Sequence, residues 1–362
     1  MRRALRSLSS LVLLVSAPAF AQDAAALARS YAEAIEGCNR AHADKPTDKN
    51  EDELAAKLAP AACKIPAQLA KLADSPAVRD ALVVAATAAL ELDRVEDFEL
   101  LRTRLVALAP ERAGELGIAL SRPRFLVLGT NGMQPEGLVA IADVFDLVLD
   151  GYRSVFGLEA FSKVPGKKLR LRVHLEAKIT KPPHFAPEFP FHSEIDFPVV
   201  DARTFTSPTK EGQFLFYGLC HELGHVLAMW GDRKNEEDRH AWAHYTGVVL
   251  VEHLAENKAK PLAELRDVRW RSLAFERKQL AAKKVVPGPK DSETVLARFV
   301  ALHDAVGPKA IGEALAALDS AGRHTRVNRV RYYTMRDFQQ ALQATKAGKA
   351  AKKAVDAAFA GA

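Results

Sequence analysis

The stretch His221-Glu222-Leu223-Gly224-His225 decides how the rest of this chain is read. On a helix of 3.6 residues per turn, positions 221 and 225 share one face, a single turn apart. Glu222 lies about 100° round the helix, close enough to meet a water held between the two imidazoles. This H-E-x-x-H arrangement offers a metal two neutral imidazole ligands, with a carboxylate placed to take a proton from the metal-bound water. The flanking residues Phe214, Leu215, Phe216, Leu219, Leu223, Val226, Leu227 and Met229 are apolar nearly all round. They predict a helix from Gly212 to Trp230, set in the middle of a domain and ended by Gly231. Two histidines and a glutamate buried there without partners would be unfavourable, and a metal supplies the partners. Cys220 adjoins the motif but points elsewhere on the helix, which makes it a packing residue.

A catalytic zinc ion needs a third protein ligand and one open position. The candidates fall in the segment from Asn235 to Tyr245. Asn235 is a good N-cap for a second helix, and Glu236, Glu237 and Asp238 suit the positive end of its dipole. The inward stripe of that helix, Val248, Val251 and Leu254 or Ala255, extrapolates back to His244, then His240 or Ala241, then Glu237. His240 therefore ranks first as third ligand, Glu237 second and Glu236 third. His244, one turn on, is expected behind the ligands or as a donor to the transition state. The metzincin continuation requires a glycine at 228 and a histidine at 231; Ala228 and Gly231 exclude it.

From Phe125 to Leu128 a short apolar strand is expected, ended by Gly129-Thr130-Asn131-Gly132. A long amphipathic helix follows from Glu136 to Phe156, closed by Gly157. Leu169, Leu171, Val173 and Leu175 alternate with Arg170, Arg172 and His174 at strand period, which puts His174 on the polar face and away from any metal. This succession of strand, long helix, strand and H-E-x-x-H helix resembles the zincin metallopeptidases, in particular the gluzincin-type peptidase-MA-like domains. Their second helix often reads Glu-Gly-Leu-Ala-Glu-Tyr, its first Glu binding zinc. His240-Ala241-Trp242-Ala243-His244-Tyr245 is similar, keeping the Ala and Tyr but carrying His in both Glu places. The resemblance covers about residues 124–256. It implies a metallopeptidase that holds one Zn²⁺ and hydrolyses peptide bonds in peptide or protein substrates, with Glu222 as general base. The His-for-Glu exchange leaves a second reading open: a non-catalytic exported binding protein on a degenerate zincin fold.

The remaining segments frame this domain. Residues 1–21 read as a secretory signal, with Arg2, Arg3 and Arg6 before the short apolar run Leu8–Val15 and a cleavage site at Ala19-Phe20-Ala21. A secreted or periplasmic protein is the expectation, with no membrane span, since neither this run nor any later one is long enough. The net charge is +6, and the three signal arginines, unaccompanied by any acid, make up half of it. So small an excess argues against nucleic-acid binding. Export permits a disulfide between Cys38 and Cys63. Residues 22–121 read as a helical region, with helices over 23–43, 51–73, 76–92 and 95–108.

A loop rich in Pro and Phe spans 181–191, with His184 and His192 in or near it. Ser193 to Val200 then forms a strand that Pro198 confines to a sheet edge, where an extended peptide could add as a further strand. Helices are expected over 261–283, 291–320 and 328–345. His324, Tyr332 and Tyr333 are candidate oxyanion donors, although tyrosine pairs on helices usually pack. The Ala- and Lys-rich tail at 346–362 is expected to be frayed or weakly helical. The fold class is α+β, predominantly helical: a zincin-like metallopeptidase domain over 122–345 with a small mixed sheet, preceded by an N-terminal helical extension.

Overall fold

The computed structural model describes residues 23–38, 61–92, 94–130, 132–158, 168–175, 184–186, 194–199, 201, 209–227, 229–230, 236–257, 272–288, 291–323, 325–327 and 330–360. The signal segment 1–21, the stretch 39–60, His192 and His324 lie outside them. The fold is mostly helical with a small mixed sheet. Two units divide the chain at Ser121/Arg122, with Thr130–Gly132 and Pro165–Lys167 grouped with the first. Among the described residues no helix is long and apolar enough to cross a membrane.

The first unit contains helices α1 (23–38), α2 (Ile65–Leu69), α3 (Pro76–Glu91) and α4 (Val95–Leu108), then strand β1 (Ile118–Ser121). Ser75 caps α3, its hydroxyl accepting from the Val78 N–H, with Pro76 at the first helical position, where a missing N–H does no harm. Tyr31, Leu82, Phe98, Leu101 and Leu105 pack into its core. Tyr31 donates its hydroxyl to Asp97 at 2.8 Å, so the buried phenol is satisfied. The expected helix over 51–73 is, in its described part, a 3₁₀ turn at Ala62–Lys64 followed by α2. Cys38 is half-buried and Cys63 exposed.

In the second unit the strands β2 (Phe125–Thr130), β3 (Leu169–Leu175), β4 (His184–Ala186) and β5 (Glu194–Val199) stand in the order β2-β3-β5-β4. β3 and β5 run parallel, and β4 pairs antiparallel with β5. Helix α5 (Pro135–Phe156) is closed by Gly157, whose φ of 68° is the left-handed conformation a C-cap favours. Arg170 is 1% exposed and His174 half-buried, so side chains on the second face of β3 are largely withdrawn from solvent too.

Two expectations are corrected here. β5 is an interior strand; the sheet edge is β4, inside the segment read as a loop. Pro198 is tolerated because β4 pairs only with Glu194–Asp196 and has ended before that position. The second correction concerns the helix end. Helix α6 (Lys210–Leu227) stops at Leu227, because Met229–Trp230 leaves it to form strand β6, paired parallel with Tyr332–Tyr333.

Helix α7 (Glu236–Glu256) follows, then α8 (Leu273–Ala282) and α9 (Ser292–Ser320), which kinks at Gly307-Pro308. A hairpin of β7 (Thr325–Val327) and β8 (Val330–Tyr333) occupies the start of the expected last helix, and α10 begins only at Met335. Over its described residues the tail takes the helical of the two forms expected of it. Helices α11 (Lys346–Ala350) and α12 (Lys352–Ala358) pack on α9, burying Val355, Ala358 and Phe359.

Candidate metal centre

α6 and α7 lie side by side, and two glycines set how closely. A Cβ on Gly224 would come within 2.3 Å of Thr246 Oγ1 and 2.8 Å of Ala243 Cα. A Cβ on Gly247 would come within 3.2 Å of the His221 backbone. Each helix thus offers a hydrogen where the other brings backbone or a β-branched side chain, and the axes can approach. The Trp242 indole N–H donates to the Gly224 carbonyl at 2.9 Å, fixing the register. Behind α7, Trp242 and Tyr245 pack against Phe156 of α5 and Phe299 of α9. Tyr152 of α5 donates its hydroxyl to the Cys220 carbonyl. Cys220 itself is fully buried, and burial pushes its thiol pKa up, so it is the packing residue expected.

This clamp brings His240 of α7 over the face of α6 that carries His221 and His225. The three ligand atoms all lie within 4.8 Å of one another, a group that could hold a metal ion. Ring centroids are 5.1 Å apart for His221 and His225, 5.4 Å for His225 and His240, and 5.9 Å for His221 and His240. His225 is buried, His221 half-buried and His240 exposed, so the centre opens on the His240 side. Burial, foremost, and then the neighbouring His221, His240 and Arg239 hold the His225 pKa well below that of an ordinary imidazole. A ring kept neutral at neutral pH is the form that ligates metals. The donor set therefore fits a divalent cation that accepts imidazole nitrogen.

Glu222 lies next to His221 on α6 and is half-buried. Glu236 and Glu237, the alternative third ligands, form the first turn of α7, and their side chains lie outside the described residues. His244 stands behind the three histidines. Its Nδ1 is 2.5 Å from the Tyr217 hydroxyl and its Nε2 3.1 Å from Glu276 Oε1. Tyr217 in turn lies 3.3 Å from His221 Nδ1.

Sequence reading missed both Tyr217 and Glu276. Tyr217 carried a faint signal, four residues before His221 and hence on the same face of the helix. Glu276 carried none, because its helix meets α7 only through tertiary packing. The remaining candidates lie elsewhere. His174 sits in β3 opposite Pro198. The Tyr333 hydroxyl donates to Asp319, and Tyr332 and Tyr333 are buried on a strand, not on a helix. A cleft of about 370 Å³ lined by Val249, Glu252, His253, Arg277 and His303 contains none of the three histidines.

No family model, curated protein or solved structure matches this chain. The chemistry of the centre rests on its own side chains.

Proposed function

We propose that the chain is an exported zinc-dependent metallopeptidase of gluzincin-like architecture, in which His221, His225 and His240 hold one Zn²⁺. The observation that carries this reading is the convergence of three imidazoles from two clamped helices, their ligand atoms within 4.8 Å of one another; Glu222 follows His221 in the chain, at the second position of the motif. Zinc bound by three protein ligands supplies a water of lowered pKa and polarises a carbonyl oxygen. Glu222 accepts the proton of the attacking water and passes it to the leaving amine. Burial favours the neutral form of His225, which is the form that ligates a metal. Exposure on the His240 side leaves room for substrate. β4, the edge strand of the sheet, packs alongside α6, so a peptide in extended form can add to the sheet beside the helix that carries His221 and His225.

Metal analysis of the purified chain, paired with peptidase assays of Glu222→Gln, tests this. One equivalent of zinc in the wild type, its loss in His221→Ala, and activity in the wild type that Glu222→Gln reduces by at least a hundredfold are expected. A wild type without stoichiometric zinc would sink the reading. Zinc that stays bound while Glu222→Gln changes no activity on a broad peptide panel would favour a binding protein on the same scaffold.

A further inference from the structure

The geometry points to a relay of three side chains, Tyr217, His244 and Glu276, that holds His221 in the ring orientation and tautomer a metal requires. This rests on the metal reading of the centre. The atoms in order are His221 Nδ1, the Tyr217 hydroxyl at 3.3 Å, then His244 Nδ1 at 2.5 Å from that hydroxyl. His244 Nε2 follows, 3.1 Å from Glu276 Oε1. Glu276 is 8% exposed and Tyr217 6%, while the His244 side chain between them is 20% exposed, so solvent competes little at the two ends of the path and in part at its middle.

The direction of the chain is the one set by an ionised Glu276 and a neutral His244. An ionised carboxylate only accepts, so His244 must present Nε2–H to Glu276. A neutral His244 then has a lone pair on Nδ1, and the Tyr217 hydroxyl donates to it. With its proton committed there, the Tyr217 oxygen has lone pairs left for His221, whose Nδ1 must therefore carry the hydrogen. His221 in that tautomer has its Nε2 lone pair available to a cation. A ligand histidine commonly gives its second N–H to a carboxylate or carbonyl directly. Here the carboxylate lies on a third helix, α8, and acts through a tyrosine and a second histidine.

The chain also explains three residues that would otherwise be hard to place. Glu276 is a buried acid in the first turn of a helix already capped by Ser272, so its burial is not required by capping. His244 occupies a motif position without reaching the ligand cluster. Tyr217 is a buried phenol on an otherwise apolar stretch of α6. Tyr217, His244 and Glu276 are thus positioning residues, acting on the metal through His221.

The test uses the full mature chain with ¹⁵N-labelled histidine. In the metal-free wild type, ring-proton correlations should show His221 protonated at Nδ1 and His244 at Nε2. Tyr217→Phe removes one hydroxyl and should abolish that pattern at His221, weakening zinc binding about 10- to 100-fold in chelator competition. Glu276→Leu should weaken binding comparably, and Glu276→Gln, whose amide oxygen still accepts, should restore most of it. Wild-type tautomers and wild-type zinc affinity in Tyr217→Phe would overturn the relay. If the wild type takes up no zinc, the metallopeptidase reading fails on its own, and the ring protons of the metal-free protein still decide the relay.

Discussion

The indole N–H of Trp242 meets the carbonyl of Gly224 at 2.9 Å, and this bond joins the two helices that carry every candidate ligand. Gly224 occupies an x position of the H-E-x-x-H stretch, yet a Cβ there would come within 2.8 Å of the α7 backbone at Ala243. The residue type that lets the helices touch is thus built into the motif, between Leu223 and His225.

Gly224→Ala tests that contact. Helix propensity alone would favour the alanine by about 1 kcal/mol. Its methyl, however, would sit 2.8 Å from Ala243 Cα, a backbone atom with no rotamer to yield. Overpacking of this kind costs about 1–3 kcal/mol and is relieved only by moving the helices apart. The variant should have a lower denaturant midpoint and weaker zinc binding, since His240 moves with α7. A variant as stable as wild type with full zinc affinity would show that the helices are not in tight contact here.

If the centre holds zinc as proposed, His240 and Glu237 are the rival third ligands, and single substitutions separate them. His240→Ala should lose stoichiometric zinc, weakening affinity by about a hundredfold or more, as expected when one ligand of a three-ligand centre is removed. Glu237→Ala should retain zinc and most activity. The opposite pattern, in chelator competition on both variants, would give the position to Glu237.

Local signals in the chain carried the elements whose ends are set by nearby residues. Gly157 closes α5 where periodicity ends, and Ser75-Pro76 opens α3, because capping is decided within one turn. The histidine stripe on α7 pointed to His240 for the same reason. Strand order was not legible. β5 looked like an edge strand because Pro198 cannot donate to a ladder, but its neighbour β4 ends before Pro198, a fact of pairing with a separate segment. Met229–Trp230 continued an apolar helical pattern and turned into a strand because β8, a hundred residues on, offers it a partner. Glu276 entered the site through packing between helices, which no local pattern encodes.

The C-terminal tail gives a stability test. Phe359 is buried against Phe338, with ring centroids 6.1 Å apart, and the Arg298 guanidinium lies 5.4 Å from its ring centre. Arg298 also donates through Nε to the Ala358 carbonyl at 3.2 Å. Phe359→Ala should lower unfolding stability by about 3 kcal/mol, in the range for a buried aromatic cut to a methyl. A midpoint unchanged from wild type in denaturant titration would show that the tail is only loosely held.

His303 should make the metal-free protein less stable in mild acid. Burial, first, and the nearby Arg277, second, hold its pKa below the ordinary 6.5, with Asp304 acting in the opposite sense. Its Nδ1 lies 3.1 Å from the Tyr245 hydroxyl, which can donate to it only while the ring is neutral. Unfolding restores the ordinary pKa, so between the lowered value and about pH 6.5 the unfolded chain binds the extra proton. Stability is therefore complete above about pH 6.5 and is lost as the pH falls through that window. His225 has a pKa shifted in the same direction and contributes a fall of the same sign, so the difference between proteins is the quantity to read. His303→Asn removes this titration while keeping a polar side chain near Tyr245. With chelator present, its denaturant midpoint should drop less than that of wild type between about pH 7 and pH 5. Equal drops in the two proteins would mean that His303 titrates alike in the folded and unfolded chain.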